Sequence, residues 1–251
     1  MLLYVIRHGE TNLNINHIVQ GWVDEPLNEK GRELAHVTGR AMRGIHFDRC
    51  ISSPLSRAVE TAEIVLKESG NLDIDADSLC GAGDYPESDY GASKSSDSLC
   101  GAGDSIEAFS KSNRRNRIQI EIDERIKEMH FGTSEGLKIT DDIKHRFFTD
   151  PFKYGKFPEG ESVQDVCTRT REFLDELIAL DDDKTYLIST HGCAMRALLN
   201  QLYDDPSDYW QGHVPFNCEV NIIEAKNGVA KILEANKIYY DPEQIVDHFV
   251  Q

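Results

Sequence analysis

Three times along this chain a short apolar run ends abruptly in basic or small polar residues that open a helix-like segment. Residues 2–6 (LLYVI) run into Arg7-His8-Gly9-Glu10, residues 47–53 (FDRCISS) into Pro54-Leu55-Ser56-Arg57, and residues 185–189 (TYLIS) into Thr190-His191-Gly192. An unbroken apolar run of this length fits a strand buried on both faces, and such strands need helices on both sides. The pattern predicts an α/β fold, a three-layer α/β/α sandwich with a mostly parallel central sheet. In such sheets ligands bind beyond the carboxyl ends of the strands. Arg7, His8, Arg57 and His191 all fall at those ends.

The intervening segments agree. Asn28 is a suitable N-cap for a helix in which Leu34, Val37, Ala41 and Met42 recur at near-helical spacing, with Glu29 in its first turn. Residues 53–70 read as a second helix, with Pro54 near its start and Gly70 just past its end. Residues 117–122 (RIQIEI) alternate like a strand exposed on one face. After a Gly-punctuated loop (EMHFGTSEG), a short helix is expected over Thr140–Phe148, ended by Asp150-Pro151. A long amphipathic helix should then run from a cap at Ser162 or Gly160 through Ala179. Residues 191–203 (HGCAMRALLNQLY) continue from the third strand as a helix. VNIIEA and VAKILEA, joined by Lys226-Asn227-Gly228, read as a hairpin.

The chain has 251 residues, enough for one large domain with a core that needs no staples. Its formal net charge of −17 comes with no basic stripe, so nucleic acid is not an expected partner. An anion site in so acidic a chain needs a local cationic pocket, which gives weight to the clustered Arg and His residues. Cys50, Cys80, Cys100, Cys167, Cys193 and Cys218 show no C-x-x-C pair and no metal-type spacing, and read as reduced thiols of a cytoplasmic protein. The first apolar run lacks a basic flank and is too short for a signal peptide, and no stretch reaches bilayer-spanning length. No membrane partner is expected.

One segment departs from the alternation. Asp77–Asp84, DSLCGAGD, recurs letter for letter as Asp97–Asp104, and Ser93-Lys94-Ser95 recurs as Ser110-Lys111-Ser112. The stretch at about 75–116 is rich in Ser, Gly and Asp and reads as an insertion carrying a tandem duplication, within a single domain spanning 1–251. Two copies are too few for a solenoid, and the Gly-Asp spacing is wrong for calcium-binding turns. Two readings of the insertion stand: a loop folded near the strand ends, or a surface decoration.

With these residues in view, a resemblance is plain. Arg7-His8-Gly9-Glu10-Thr11 resembles the signature of the histidine phosphatase superfamily, also called the phosphoglycerate mutase-like fold. Asn14, Gln20-Gly21-Trp22 through Pro26-Leu27, Ser53-Pro54-Leu55-Ser56-Arg57-Ala58 with Thr61-Ala62, Glu128 with Phe131-Gly132 and Glu135-Gly136, Gly160-Glu161-Ser162, and Thr190-His191-Gly192 follow in the family's order. The resemblance implies that His8 is the nucleophile. Arg7 and Arg57 would grip phosphate oxygens with planar forks, a role for which Lys is a poor substitute. A neutral imidazole attacks well, provided its other nitrogen donates to a backbone carbonyl. His191, opening a helix, would present backbone N–H groups and, if protonated, a third donor.

The leaving alcohol needs a proton. One branch supplies it from an Asp directly after the second His, where this chain has Gly192; the other uses a Glu before a Phe/Tyr-Gly, which Glu128 matches. Asn14, Gln20, Gly21 and Gly192 are the substrate-side candidates, Glu10 is read as orienting its loop, and Trp22 as a packing residue. His17, His36, His46, His145, His213 and His248 carry no motif and read as structural. Neither a cofactor nor a metal is implied.

Three functions compete: a phosphomonoesterase acting on small phosphorylated metabolites, a 2,3-bisphosphoglycerate-dependent phosphoglycerate mutase, and an inactive module that binds phosphorylated ligands. Family mutases carry paired arginines in a longer segment after the Glu-Gly block. Here Gly136 to Pro158 is short and offers Lys138, Lys144, Arg146, Lys153 and Lys156 but no adjacent pair, while Arg114-Arg115 lie in the insertion. Ile18 also stands where the family often has an Arg. The phosphatase branch with the Glu acid is therefore the expectation.

Overall fold

The computed structural model describes residues 1–72 and 118–245. The duplicated segment at 75–116, Cys80, Cys100, the Arg114-Arg115 pair and His248 lie outside the described residues.

Six strands form one mixed sheet in the order β3-β2-β4-β1-β5-β6. They are β1 (Leu2–Arg7), β2 (Arg49–Ser52), β3 (Ile120–Ile122), β4 (Thr185–Thr190), β5 (Val220–Lys226) and β6 (Val229–Lys237). Strands β1, β4, β2 and β3 are parallel, and β5 and β6 add an antiparallel edge. The first, second and fourth strands are the three apolar runs. They lie side by side in level register: Arg7 pairs with Thr190, and Ser52 with Ser189. Their carboxyl ends therefore release three loops next to one another.

Alternation along the strands assigns residues to two faces. Ile6, Cys50 and Leu187 pack with Leu34, Ala35 and Met42 at helix α2 (Glu29–Ala41) and with Ala62 and Val65 of α3 (Ser56–Ser69). Leu3, Val5, Ile51 and Ile188 turn the other way, onto Phe173, Leu174 and Leu177 of α6 (Val163–Leu180) and Met195, Leu198 and Leu199 of α7 (Gly192–Asn200). A sheet buried on both faces by helices is the three-layer arrangement, and it removes from water the surface that drives folding.

Local signals end the elements as their chemistry requires. The Asn28 side chain accepts from the Gly31 N–H at 2.7 Å to start α2. Ser162 and Asp165 form a reciprocal capping box at the start of α6. Gly70 closes α3 in the left-handed region (φ 83°), and Asn227 and Gly228 (φ 53° and 74°) make the hairpin turn.

Three boundaries differ from the sequence expectation. The alternating segment at 117–122 contributes only Ile120–Ile122 to the sheet, because its partner β2 is itself four residues long. Pro151 ends α4 (Asp141–Thr149) but also begins a separate turn, α5 (Pro151–Tyr154), capped by Asp150. Helix α7 stops at Asn200, whose side-chain amide donates to the Pro206 carbonyl at 2.7 Å as the chain turns away.

A third apolar cluster lies beyond the carboxyl edge of the sheet. It joins Phe131, Phe147 of α4, Phe157, Val163 of α6, Ala194 of α7 and Trp210. Cys50, Cys167, Cys193 and Cys218 are buried free thiols, and burial pushes Cys167 up to about 11 and Cys218 up to about 12. Among the described residues no helix is long and apolar enough to cross a membrane.

Candidate active site

The peptide at the end of β1 is fixed from every side. The His8 N–H donates to the Thr190 carbonyl at 2.9 Å, tying β1 to β4. The His8 carbonyl accepts from the Asn217 side chain at 3.0 Å, and the Gly9 N–H donates to Thr61 Oγ1 at 3.0 Å. Behind the loop, the first turn of α2 comes so close that a Cβ on Gly31 would sit 2.1 Å from the Glu10 carbonyl oxygen. Only glycine permits that approach. Glu10 accepts from the Asn28 side chain at 2.9 Å, the orienting role its position suggested.

Within this frame the His8 ring is oriented. Its Nδ1 lies 2.6 Å from the Gly9 carbonyl, which can only accept, so Nδ1 carries the proton and the Nε2 lone pair is set for attack. The His191 ring centroid is 5.1 Å away. His191 Nε2 sits 2.7 Å from Ser53 Oγ at the end of β2. Arg7 is held by its Nη1 donating to the Pro215 carbonyl. Arg57, in the first turn of α3, donates to the carbonyls of Val23 and Gly21, each at 2.8 Å.

The electrostatics follow from burial. Desolvation lowers Arg57 to about 10, against opposing attraction from Glu128 and Asp24, so it stays cationic at neutral pH. Desolvation also lowers Arg7. His191 is pushed well below the usual imidazole range, first by burial and then by Arg57, His8 and Arg7. Burial and the neighbouring cations thus oppose the protonated form of His191 that would make it a third donor. Five buried side-chain polar atoms of the described residues have no protein partner, and three belong here: Arg7 Nε, Arg57 Nε and His191 Nδ1. Buried donors are seldom left unpaired, so their convergence marks a polar ligand site.

The helix that His191 opens is capped by Glu128. Its first amides do not point into open space. The Glu128 carboxylate accepts from Cys193 N at 3.3 Å and Ala194 N at 3.1 Å, as well as from Met129 N at 2.8 Å. A carboxylate at a helix N-terminus satisfies the dipole and the unbonded N–H groups together. The Cys193 and Ala194 amides are thus taken by Glu128.

Glu128 is placed by Arg169, which the sequence did not single out, and by Trp22, read there as a packing residue. Arg169 of α6 donates to the carbonyls of Arg125 at 2.6 Å, Lys127 at 2.7 Å and Glu128 at 2.9 Å, and pairs with Glu161 at 2.8 Å. Trp22 donates from Nε1 to the Glu128 carbonyl at 2.8 Å and stacks on His130 at 4.5 Å, so it ties two loops together. An arginine beside the apolar stripe of a long helix gives no sequence signal of this role.

All these loops close on one pocket of about 730 Å³, its open mouth included. Arg7, His8, Asn14, Gln20, Gly21, Arg57, Glu128 and Gly192 all line it. Fully buried His191 is not among the lining residues and meets the site through the His8 ring. The Asn14 and Gln20 side-chain oxygens are engaged by Thr11, at 3.1 Å from its N–H and 3.0 Å from its hydroxyl, so each offers a ligand its NH₂ group. His17, read as structural, lines the pocket, as does Lys144. The sequence also missed an apolar wall comprising Ile139, Ile143, Phe147, Phe148, Trp210 and Val214. Among the described residues no group of three or more His, Cys, Asp or Glu side chains could hold a metal ion.

A parallel-centred α/β sandwich with this pocket at its strand ends is a phosphoglycerate mutase-like fold. The chain belongs to the histidine phosphatase superfamily (branch 1), whose family model matches residues 3–79 and 102–238. It is 28% identical to a 2,3-bisphosphoglycerate-dependent phosphoglycerate mutase of Methanosarcina acetivorans, over 80% of this chain and 82% of the relative. It is 27% identical to a broad-specificity phosphatase of Saccharomyces cerevisiae, over 88% of this chain and 78% of the relative. The solved structure of Bacillus stearothermophilus YhfR superposes with a TM-score of 0.69 at 27% identity, covering 99% of each chain.

Proposed function

We propose that this chain is a cytoplasmic phosphomonoesterase that hydrolyses small phosphorylated metabolites through a phosphohistidine on His8, built as one domain with an insertion at about 75–116. The observation that carries the reading is the convergence of unpartnered donors on Arg7, Arg57 and His191 beside an imidazole whose tautomer is fixed by the Gly9 carbonyl. His8 Nε2 attacks phosphorus and the ester P–O bond breaks. Glu128, which takes up a proton as the dianionic ester binds beside it, gives that proton to the departing alcohol oxygen. Water then attacks the phosphorus, its proton passes to Glu128, the P–N bond breaks and inorganic phosphate leaves. Arg7 and Arg57 hold the equatorial oxygens as charge redistributes, with the NH₂ groups of Asn14 and Gln20 at the same end. Gly21 and Gly192 contribute backbone to the pocket wall beside the ester.

The mutase reading is favoured by the name of the Methanosarcina relative. Against it, Lys144 is the one lysine of the 136–158 segment that lines the pocket, with no arginine pair there. Phosphate release from a panel of monoesters tests the proposal. His8→Ala should abolish release, and acid-labile, alkali-stable phosphate should be trapped on the wild type alone. Glu128→Gln should slow alkyl esters by about 10²–10⁴-fold and aryl esters much less, because good leaving groups need no proton. Conversion of 3- to 2-phosphoglycerate, dependent on 2,3-bisphosphoglycerate and faster than any hydrolysis, would replace the phosphatase reading with the mutase one.

A further inference from the structure

We infer that the substrate class of this pocket is the phosphate monoester of a bulky apolar or aromatic alcohol, rather than of a polyhydroxylated sugar or of glycerate. The inference rests on the phosphatase reading and extends it to the leaving group. Beyond the phosphate-binding end, six apolar side chains, Ile139, Ile143, Phe147, Phe148, Trp210 and Val214, dominate the pocket wall, with His17 and Lys144 as its polar members. Its aromatic members have their polar atoms turned inward. Trp210 Nε1 donates to the Phe147 carbonyl at 2.7 Å, which occupies both groups, and Trp210 is buttressed by Tyr209, whose hydroxyl donates to the Cys193 carbonyl at 2.7 Å. Phe148 stacks against Trp210 with ring centroids 5.5 Å apart and is about half exposed, so an apolar ring continues the wall to the mouth.

A sugar or glycerate hydroxyl placed against such a wall would lose its water and find no partner, a cost that an apolar alcohol avoids. A phenyl or branched alkyl group would instead bury its surface on Phe148, Trp210 and Ile143. That burial favours the apolar ester by at least about tenfold.

The comparison that tests this uses 2-phenylethyl phosphate and glycerol 3-phosphate. Both leaving groups are primary alcohols of similar acidity, so the ratio of kcat/KM reads the wall and not the leaving group. The full chain should prefer the phenylethyl ester at least about tenfold. Phe148→Ser and Ile143→Asn, at partly exposed positions the fold tolerates, should each lower that ratio several-fold. Equal rates on the two esters, a preference for glycerol phosphate, or a ratio untouched by both variants would overturn the inference while leaving the phosphatase intact. Hydrolysis of neither ester by the wild type would instead overturn the phosphatase reading itself, and the inference with it.

Discussion

The pocket has two ends made by different parts of the chain, and they are built on opposite principles. The proposed phosphate end comes from the carboxyl termini of β1, β2 and β4, where the β1 ladder holds Arg7 and backbone bonds from His8 to Thr190 and from Ser53 to Ser189 continue the pairing. The far wall comes from α4 and the 209–214 loop, held in place by aromatic packing: Phe147 lies 5.5 Å from Phe131, 5.2 Å from Phe157 and 5.7 Å from Trp210, ring centre to ring centre. One end stores unpaired donors and buried cations, which are costly to fold and useful only to an anion. The other end stores apolar area, which stabilises the fold whether or not a ligand is bound.

The sharpest way to break this contrast is at the wall. Phe147→Ala should cost about 3–5 kcal/mol of stability, measured by urea unfolding, because it opens a cavity in the aromatic cluster. A loss below about 1 kcal/mol would mean that the wall is not part of the core. At the phosphate end the sensitivity should move from stability to rate. Arg57→Lys should lower kcat/KM about a hundredfold, since a lysine cannot hold the Gly21 and Val23 carbonyls and still present a fork to phosphate. Its urea midpoint should shift less than that of Phe147→Ala, and activity within fivefold of wild type would remove Arg57 from the clamp.

The smallest effect sharpens the cost of burying His191. Its folded pKa is depressed, so below about pH 6.5 the unfolded chain takes up a proton that the buried ring refuses. Stability present at neutral pH is then lost as pH falls from the unfolded value toward the folded one. His191→Gln should lack this component. Equal losses between pH 7 and 5.5 in both proteins would show that another group carries the acid sensitivity.

The sequence by itself determined the α/β/α layering, the mostly parallel sheet and the strand ends at which Arg7, His8, Arg57 and His191 stand. Apolar runs, caps and glycines act over a few residues, so LLYVI-RHGE and TYLIST-HG announce a strand end and its cargo locally. Only the tertiary structure decided that Glu128 takes the first amides of α7, that Arg169 grips three carbonyls of the Glu128 loop, and that Ile143, Phe148 and Trp210 face the ligand rather than only one another. These contacts join segments tens of residues apart. Their side chains look locally like any core aromatic or any helix arginine, and what distinguishes them is the neighbour that folding brings to each.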